Sequence, residues 1–206
     1  MDFSTVNVDM RRNVAREAAA LIYFGIEKEY KQAKIRAAKI LGINFLPTNI
    51  EVAMELDRMA EENEGAARME RLVKKRREAL NLMKILEKYS PLLVGSVWRG
   101  TIHRESDIDI VVYHNDPREI LTLLEKRFKI LEHGWIAVTK KGKPKKSFHI
   151  LLELSNSEKA EITVRGAEEI GIKEICEIYG DTISGLDISG LEKLLAENPT
   201  KRFVPF

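Results

Sequence analysis

A chain of 206 residues with a single cysteine, Cys176, has no internal disulfide framework, and it fits a reducing cytosol. A lone cysteine of this kind usually serves as a small buried hydrophobe. Long apolar runs are missing too. None approaches the roughly 20 residues that cross a bilayer, and the N-terminus lacks the pattern of a signal peptide. The expectation is a cytoplasmic protein with no membrane partner. Charge of one sign is also scarce: 34 Lys and Arg face 32 Asp and Glu, giving +2 overall. Residues 1–90 carry +3 and the remainder −1, so any nucleic-acid surface has to be a local patch. Internal repeats and low-complexity tracts are absent. Glutamine occurs once, at Gln32, among many Lys, Arg and Glu, a balance seen in thermophilic proteins. What is present, 44% hydrophobic and 32% charged residues, describes a soluble chain able to bury one sizeable core or two small ones.

The first half reads as helical. Residues 9–42 have apolar positions at helical spacing, with Asp9 as a cap and Gly42 as a stop. Thr48 and Glu51 form a capping-box pattern for a second helix that closes at 61–65. A third helix is expected from Ala66 to Tyr89. One side of it is apolar; the other carries Arg68, Arg71, Lys74, Lys75, Arg76 and Arg77. That basic side reads as a solvated face or as a phosphate-contacting rim. The aromatics Tyr23, Phe24 and Tyr30 read as packing residues.

Chemistry concentrates between Leu92 and Tyr113. An apolar run ends in Gly95-Ser96, a polar turn follows, and a strand begins with Asp107-Ile108-Asp109-Ile110. On a strand Asp107 and Asp109 share one face while Ile108 and Ile110 share the other. Two adjacent carboxylates repel, and a divalent cation relieves the repulsion. Magnesium suits such a site because it takes carboxylate oxygens and leaves positions for water and phosphate. Gly95 permits a sharp turn and close approach of a ligand. Ser96 offers a hydroxyl and an amide at the start of a helical turn.

This constellation, Gly-Ser, a ten-residue gap, then Asp-Ile-Asp-Ile, resembles the signature of the DNA polymerase β-like nucleotidyltransferase superfamily. Arg99-Gly100 fits the version common in its small prokaryotic members. The whole arrangement, including Cys176-Glu177-Ile178-Tyr179-Gly180-Asp181, is similar to archaeal predicted nucleotidyltransferases. The resemblance implies an α+β nucleotidyltransferase fold over residues 65–206, a mixed β-sheet with flanking helices, preceded by a helical hairpin region over 1–64. It also implies a third carboxylate on a strand beside the aspartate pair.

Downstream, Asp116-Pro117-Arg118-Glu119 marks a helix start. Short strands are expected at 129–131 and 135–139 around a turn at Gly134, and the lysine-rich turn Lys140–Lys146 reads as solvated or as a holder of triphosphate or nucleic-acid backbone. A hairpin pairs 148–154 with 160–165, and with Leu154 opposite Ala160, Glu153 falls opposite Glu161. Glu161 is the favoured third carboxylate and Glu153 its rival; His149, on the same face, reads as structural. A glycine-interrupted helical stretch from Ala167 through Tyr179 and a short helix capped by Ser189 and Glu192 complete the reading.

The resemblance implies that Asp107, Asp109 and Glu161 hold Mg2+ or Mn2+ and act in catalysis, while Gly95 and Ser96 steady the phosphates of a nucleoside triphosphate, ATP foremost. Arg99 stands equally as a neutraliser of pyrophosphate or as a salt-bridged turn residue. The implied reaction moves a nucleoside monophosphate to an acceptor hydroxyl of RNA, protein or a small molecule. The alternatives are a non-catalytic nucleotide-binding protein and an antitoxin-like protein adenylyltransferase.

Overall fold

The computed structural model describes residues 3–140, 143–154 and 157–205, and for 3–8, 138–140 and 143–145 the backbone alone. Its first half contains three helices, divided differently from the sequence expectation. Helix α1, Phe3–Tyr23, starts before Asp9, and α2 spans Tyr30–Leu41. The expected single helix breaks because Gly25 takes φ 68° and the amides of Ile26 and Glu27 fold back onto the carbonyl of Leu21. Gly42, also left-handed, ends α2 as expected. Conversely, the two helices expected over 48–89 form one element, α3, Asn49–Ile85, with a kink at Gly65. Thr48 and Glu51 form the full capping box at its start.

After a 3-10 turn at Glu87–Tyr89 come β1 (Leu92–Val94), a five-residue helix α4 (Gly95–Arg99), β2 (Ile108–Tyr113) and α5 (Pro117–Glu125). Three longer strands follow: β3 (Lys129–Lys140), β4 (Lys143–Glu153) and β5 (Lys159–Arg165). The sheet order is β1-β2-β5-β4-β3, with β2 and β5 parallel and every other pair antiparallel. Gly134 makes no turn: β3 runs through it as one strand, opposite His149, with an irregularity between Ile130 and Glu132. The expected lysine turn, Lys140–Lys146, includes Lys141 and Gly142, which lie outside the described residues, as do Ser155 and Asn156 of the next loop.

The tail also departs from expectation. No helix runs through Tyr179. Gly171, at φ 81°, interrupts the stretch, leaving a 3-10 turn at Ala167–Glu169 and a small hairpin of β6 (Glu174–Ile175) and β7 (Thr182–Ile183). The last helix, α6 (Ile188–Glu197), is capped by Asp187 in place of the expected Ser189, and the Asp187 carboxylate accepts the Gly190 amide at 2.7 Å.

Two apolar clusters lie on either side of Gly65. One joins α1, α2 and the first half of α3 through Val14, Ala18, Ile22, Ala37, Val52 and Leu56. The other packs the second half of α3, α5 and α6 on the sheet through Leu72, Leu82, Ile110, Ile120, Ile162 and Leu194. The basic side of α3 turns inward: Arg68, Lys75 and Arg76 are buried, while Lys74 and Arg77 do not join them. Arg76 donates to the carbonyls of Val97, Trp98, Pro199 and Lys201 at 2.7–3.0 Å, tying α4 to the C-terminal segment. Neither a solvated face nor a phosphate rim describes the three buried residues, because backbone carbonyls and acids inside the fold consume their donors. No described helix is long and apolar enough to cross a membrane.

Candidate active site

Parallel pairing of β2 with β5 sets Asp109 directly beside Glu161. Ile108 and Ile110, and likewise Ala160 and Ile162, are buried on the opposite face, so strand alternation turns both carboxylates the other way. Asp107 precedes β2 by one residue and lines the same cleft as Asp109 and Glu161. On the other flank of β2, Val94 pairs with Asp109, so that α4 begins at the carboxylate. Gly95 has φ 69°, and a Cβ there would lie 1.9 Å from Oδ2 of Asp109. Glycine is therefore required twice over at this position, by conformation and by space. Ser96 follows on α4 and also lines the cleft.

The carboxylates are short of compensation. Burial, followed by the charges of Glu161 and Asp107, pushes the Asp109 pKa up to about 7. Burial raises Asp107 too, although Lys159, Lys75 and Lys28 pull it back. Among the described residues no three His, Cys, Asp or Glu side chains gather into a ready metal cage. Glu161 is instead engaged by His149, with Oε1 2.5 Å from Nδ1, and Nε2 of that ring lies 2.8 Å from the Ser147 hydroxyl. The donor set still fits a hard divalent cation: oxygen ligands, partly desolvated, with negative charge in excess.

The cleft around these groups measures about 660 Å³, within the usual range for small-molecule sites. The first half of the chain also lines it, through Ile22, Lys28, Tyr30 and Leu56, as does Tyr179 of the tail. Sequence reasoning assigned nothing chemical to that half, since no local motif marks Lys28 or Tyr30. Arg99 also lines the cleft, but its guanidinium is bidentate to Asp181 at 2.6 and 3.1 Å and donates to the Phe203 carbonyl at 2.9 Å. It lies against the rings of Trp98 and Tyr179. Burial lowers its pKa, yet Asp181 and Cys176 more than offset this and the net shift is upward. Of the two roles open for Arg99, the salt-bridged one is the arrangement seen.

Glu153 does not face Glu161. The β4–β5 register is two residues from the expected one: Leu152 pairs with Ala160, Leu151 with Glu161 and Glu153 with Lys159. A two-residue slip preserves the faces and changes only the partners. Glu153 accepts from Lys129 at 2.8 Å, away from the cleft. His149, expected as structural, makes direct contact with Glu161; its place on the same strand face was the available signal.

Residues 71–165 match the family model of the nucleotidyltransferase domain. No curated protein sequence matches the chain. Among solved structures, the GLD-2/RNP-8 complex is similar at 13% identity and a TM-score of 0.36, over 60% of this chain and 39% of that one. A cytoplasmic RNA terminal U-transferase is similar at 17% identity and a TM-score of 0.33, over 57% and 34%. This chain thus spans little more than a third of those proteins, and at such scores neither likeness bears on its substrate. The signature Gly95-Ser96 to Asp109 and the neighbouring Glu161 all fall inside the matched segment, so residues 71–165, a little under half of the chain, are similar to a nucleotidyltransferase domain.

Proposed function

We propose that this chain is a metal-dependent nucleotidyltransferase that moves a nucleoside monophosphate from a nucleoside triphosphate, ATP foremost, to an acceptor hydroxyl. The observation that carries this reading is the packing of Gly95 against the Asp109 carboxylate with Glu161 as the neighbour across the strand pair. Asp107, Asp109 and Glu161 would hold Mg2+ or Mn2+, which when bound supplies positive charge for phosphates and for the charge developing in the transition state. Gly95 and Ser96 present backbone and hydroxyl donors to the phosphates. Glu161 accepts the proton of the acceptor hydroxyl. The acceptor oxygen bonds to the α-phosphorus as the bond to the β-phosphate oxygen breaks, and pyrophosphate leaves. On this reading residues 65–206 form the nucleotidyltransferase domain and 1–64 a helical region that helps line the cleft. The apolar clusters on either side of Gly65 support that division. The lone cysteine supports a cytoplasmic setting.

The test is incubation of the purified chain with magnesium and α-labelled ATP, offered RNA, co-purifying protein and small-molecule hydroxyl acceptors. Label should transfer with release of pyrophosphate in the wild type, and an Asp107→Ala/Asp109→Ala variant should transfer none. Equal nucleotide and metal binding by both proteins would remove the assignment.

A further inference from the structure

The cations around the cleft are not equally free. Arg99 is held by Asp181, and Lys75 is buried and paired with Glu158. The guanidinium of Arg104 lies over the rings of Tyr23 and Phe24, 5.0 and 5.2 Å from their centroids. Two lysines remain: Lys28 and Lys159. Both are exposed, both line the cleft, and neither makes an ion pair among the described residues. They come from segments far apart in the chain. Lys159 opens β5, two residues before Glu161. Lys28 lies in the connection between α1 and α2.

That connection is fixed against the site. Gly25 leaves the helix with φ 68°, and a Cβ there would reach 3.9 Å from Cγ of Glu105. Tyr23 lies close to His103, so the end of α1 docks on the turn that leads into Asp107. Glu27, which also lines the cleft, pairs with Arg36 at 2.8 Å. Lys28 and Lys159 line the same cleft as the Asp107 carboxylate. With Arg99 engaged elsewhere, the cleft has two unclaimed cations beside its acidic edge.

We infer that Lys28 and Lys159 together grip the polyphosphate of the substrate in the cleft, making the helical region part of the nucleotide site. The inference rests on the nucleotidyltransferase reading. A triphosphate carries more charge than the monophosphate it leaves behind, so the two lysines favour the substrate over the transferred group. Because Lys28 belongs to the α1–α2 connection, triphosphate also fastens the helical region to the sheet domain.

Calorimetry in magnesium tests this with three probes: a non-hydrolysable ATP analogue, inorganic tripolyphosphate and AMP. Lys28→Ala and Lys159→Ala should each weaken the analogue and tripolyphosphate about tenfold, the scale of one charge-assisted contact, and leave AMP unchanged. Lys28→Arg should bind tripolyphosphate within a few-fold of the wild type, and thermal melting should show all variants folded. Wild-type affinity of Lys28→Ala for both polyphosphates would overturn the grip while leaving the nucleotidyltransferase reading in place. Failure of the wild type itself to bind either polyphosphate would overturn that reading, and the inference with it.

Discussion

The second half of α3 and the facing edge of β2 and β5 treat charge in opposite ways. Arg68, Lys75 and Arg76 are almost wholly buried, yet each is engaged by partners inside the fold. Arg68 donates to the Ile102 carbonyl at 2.7 Å and pairs with Asp57 and Glu61; Lys75 pairs with Glu158; Arg76 meets four backbone carbonyls. Asp107 and Asp109, less deeply buried, share the cleft with Glu161 and too little positive charge, and the Asp109 pKa rises to about 7. A satisfied buried charge holds a fold together, whereas an unsatisfied one costs stability and persists where a ligand completes it. The deeper charges are therefore the structural ones.

The contrast breaks first at Arg76. Replacing it with Met keeps much of the volume but strands the carbonyls of Val97, Trp98, Pro199 and Lys201. A loss of about 3–5 kcal/mol in urea denaturation is expected, from several unsatisfied buried acceptors. A loss under about 1 kcal/mol would mean that water replaces the guanidinium and the clamp is dispensable. Next comes Glu161→Gln on the acidic edge, where shape is kept and charge removed. Turnover should fall about a hundredfold or more, the range for losing an acid–base group, while the urea midpoint stays close to wild type.

How much of this could be read beforehand divides along the same line. Gly95, Ser96, Asp107 and Asp109 lie within one short stretch, and strand alternation alone places the two aspartates together, so the acidic edge was legible. The burial of Arg76 was not. Its partners Val97 and Pro199 lie 21 and 123 residues away, and a basic helix side has the same local pattern whether it meets water or carbonyls. The same holds for Arg99 with Asp181 and for Lys28 in the cleft. Gly25 and Gly65 mark the other limit. Both adopt positive φ, yet the chain leaves its helix at one and continues as a kinked helix through the other, a difference set by tertiary packing.

A smaller effect of opposite sign is expected from Asp109→Asn. The folded-state pKa of Asp109 is raised from 3.8 to about 7. For a raised pKa, the stabilising contribution is complete below the unfolded value and is lost as pH rises through the folded one. The metal-free wild type should therefore lose stability steadily between about pH 4 and pH 7 and level off above it. The amide variant lacks this decline. At about pH 8 it should be about 1–3 kcal/mol more stable than the wild type, after discounting for partial exposure to the cleft. Magnesium should narrow the gap by binding the wild type alone. Identical pH profiles for the two proteins would show that Asp109 is compensated after all.

The smallest effect is expected at Glu153, and it sharpens the comparison from the outside. This carboxylate lies on the same sheet face as Glu161, yet it pairs with Lys129 at 2.8 Å, and its neighbour on β5 is Lys159. Its pKa is held down, chiefly by the bond from Lys129 and by that lysine's charge. It therefore belongs with the satisfied charges, but at the edge of the solvent, where water can take over from either partner. Glu153→Gln should leave the melting temperature nearly unchanged and alter turnover by no more than a few-fold, measured as pyrophosphate release. The proximity of Lys159 gives the experiment its edge. If Glu153 competes with substrate for that lysine, removing its charge frees a cation for the polyphosphate, and KM for ATP should fall slightly while kcat holds. Should Glu153→Gln abolish release while Glu161→Gln stays near wild type, then satisfaction of charge does not separate structural from catalytic carboxylates on this sheet, and the third carboxylate is Glu153.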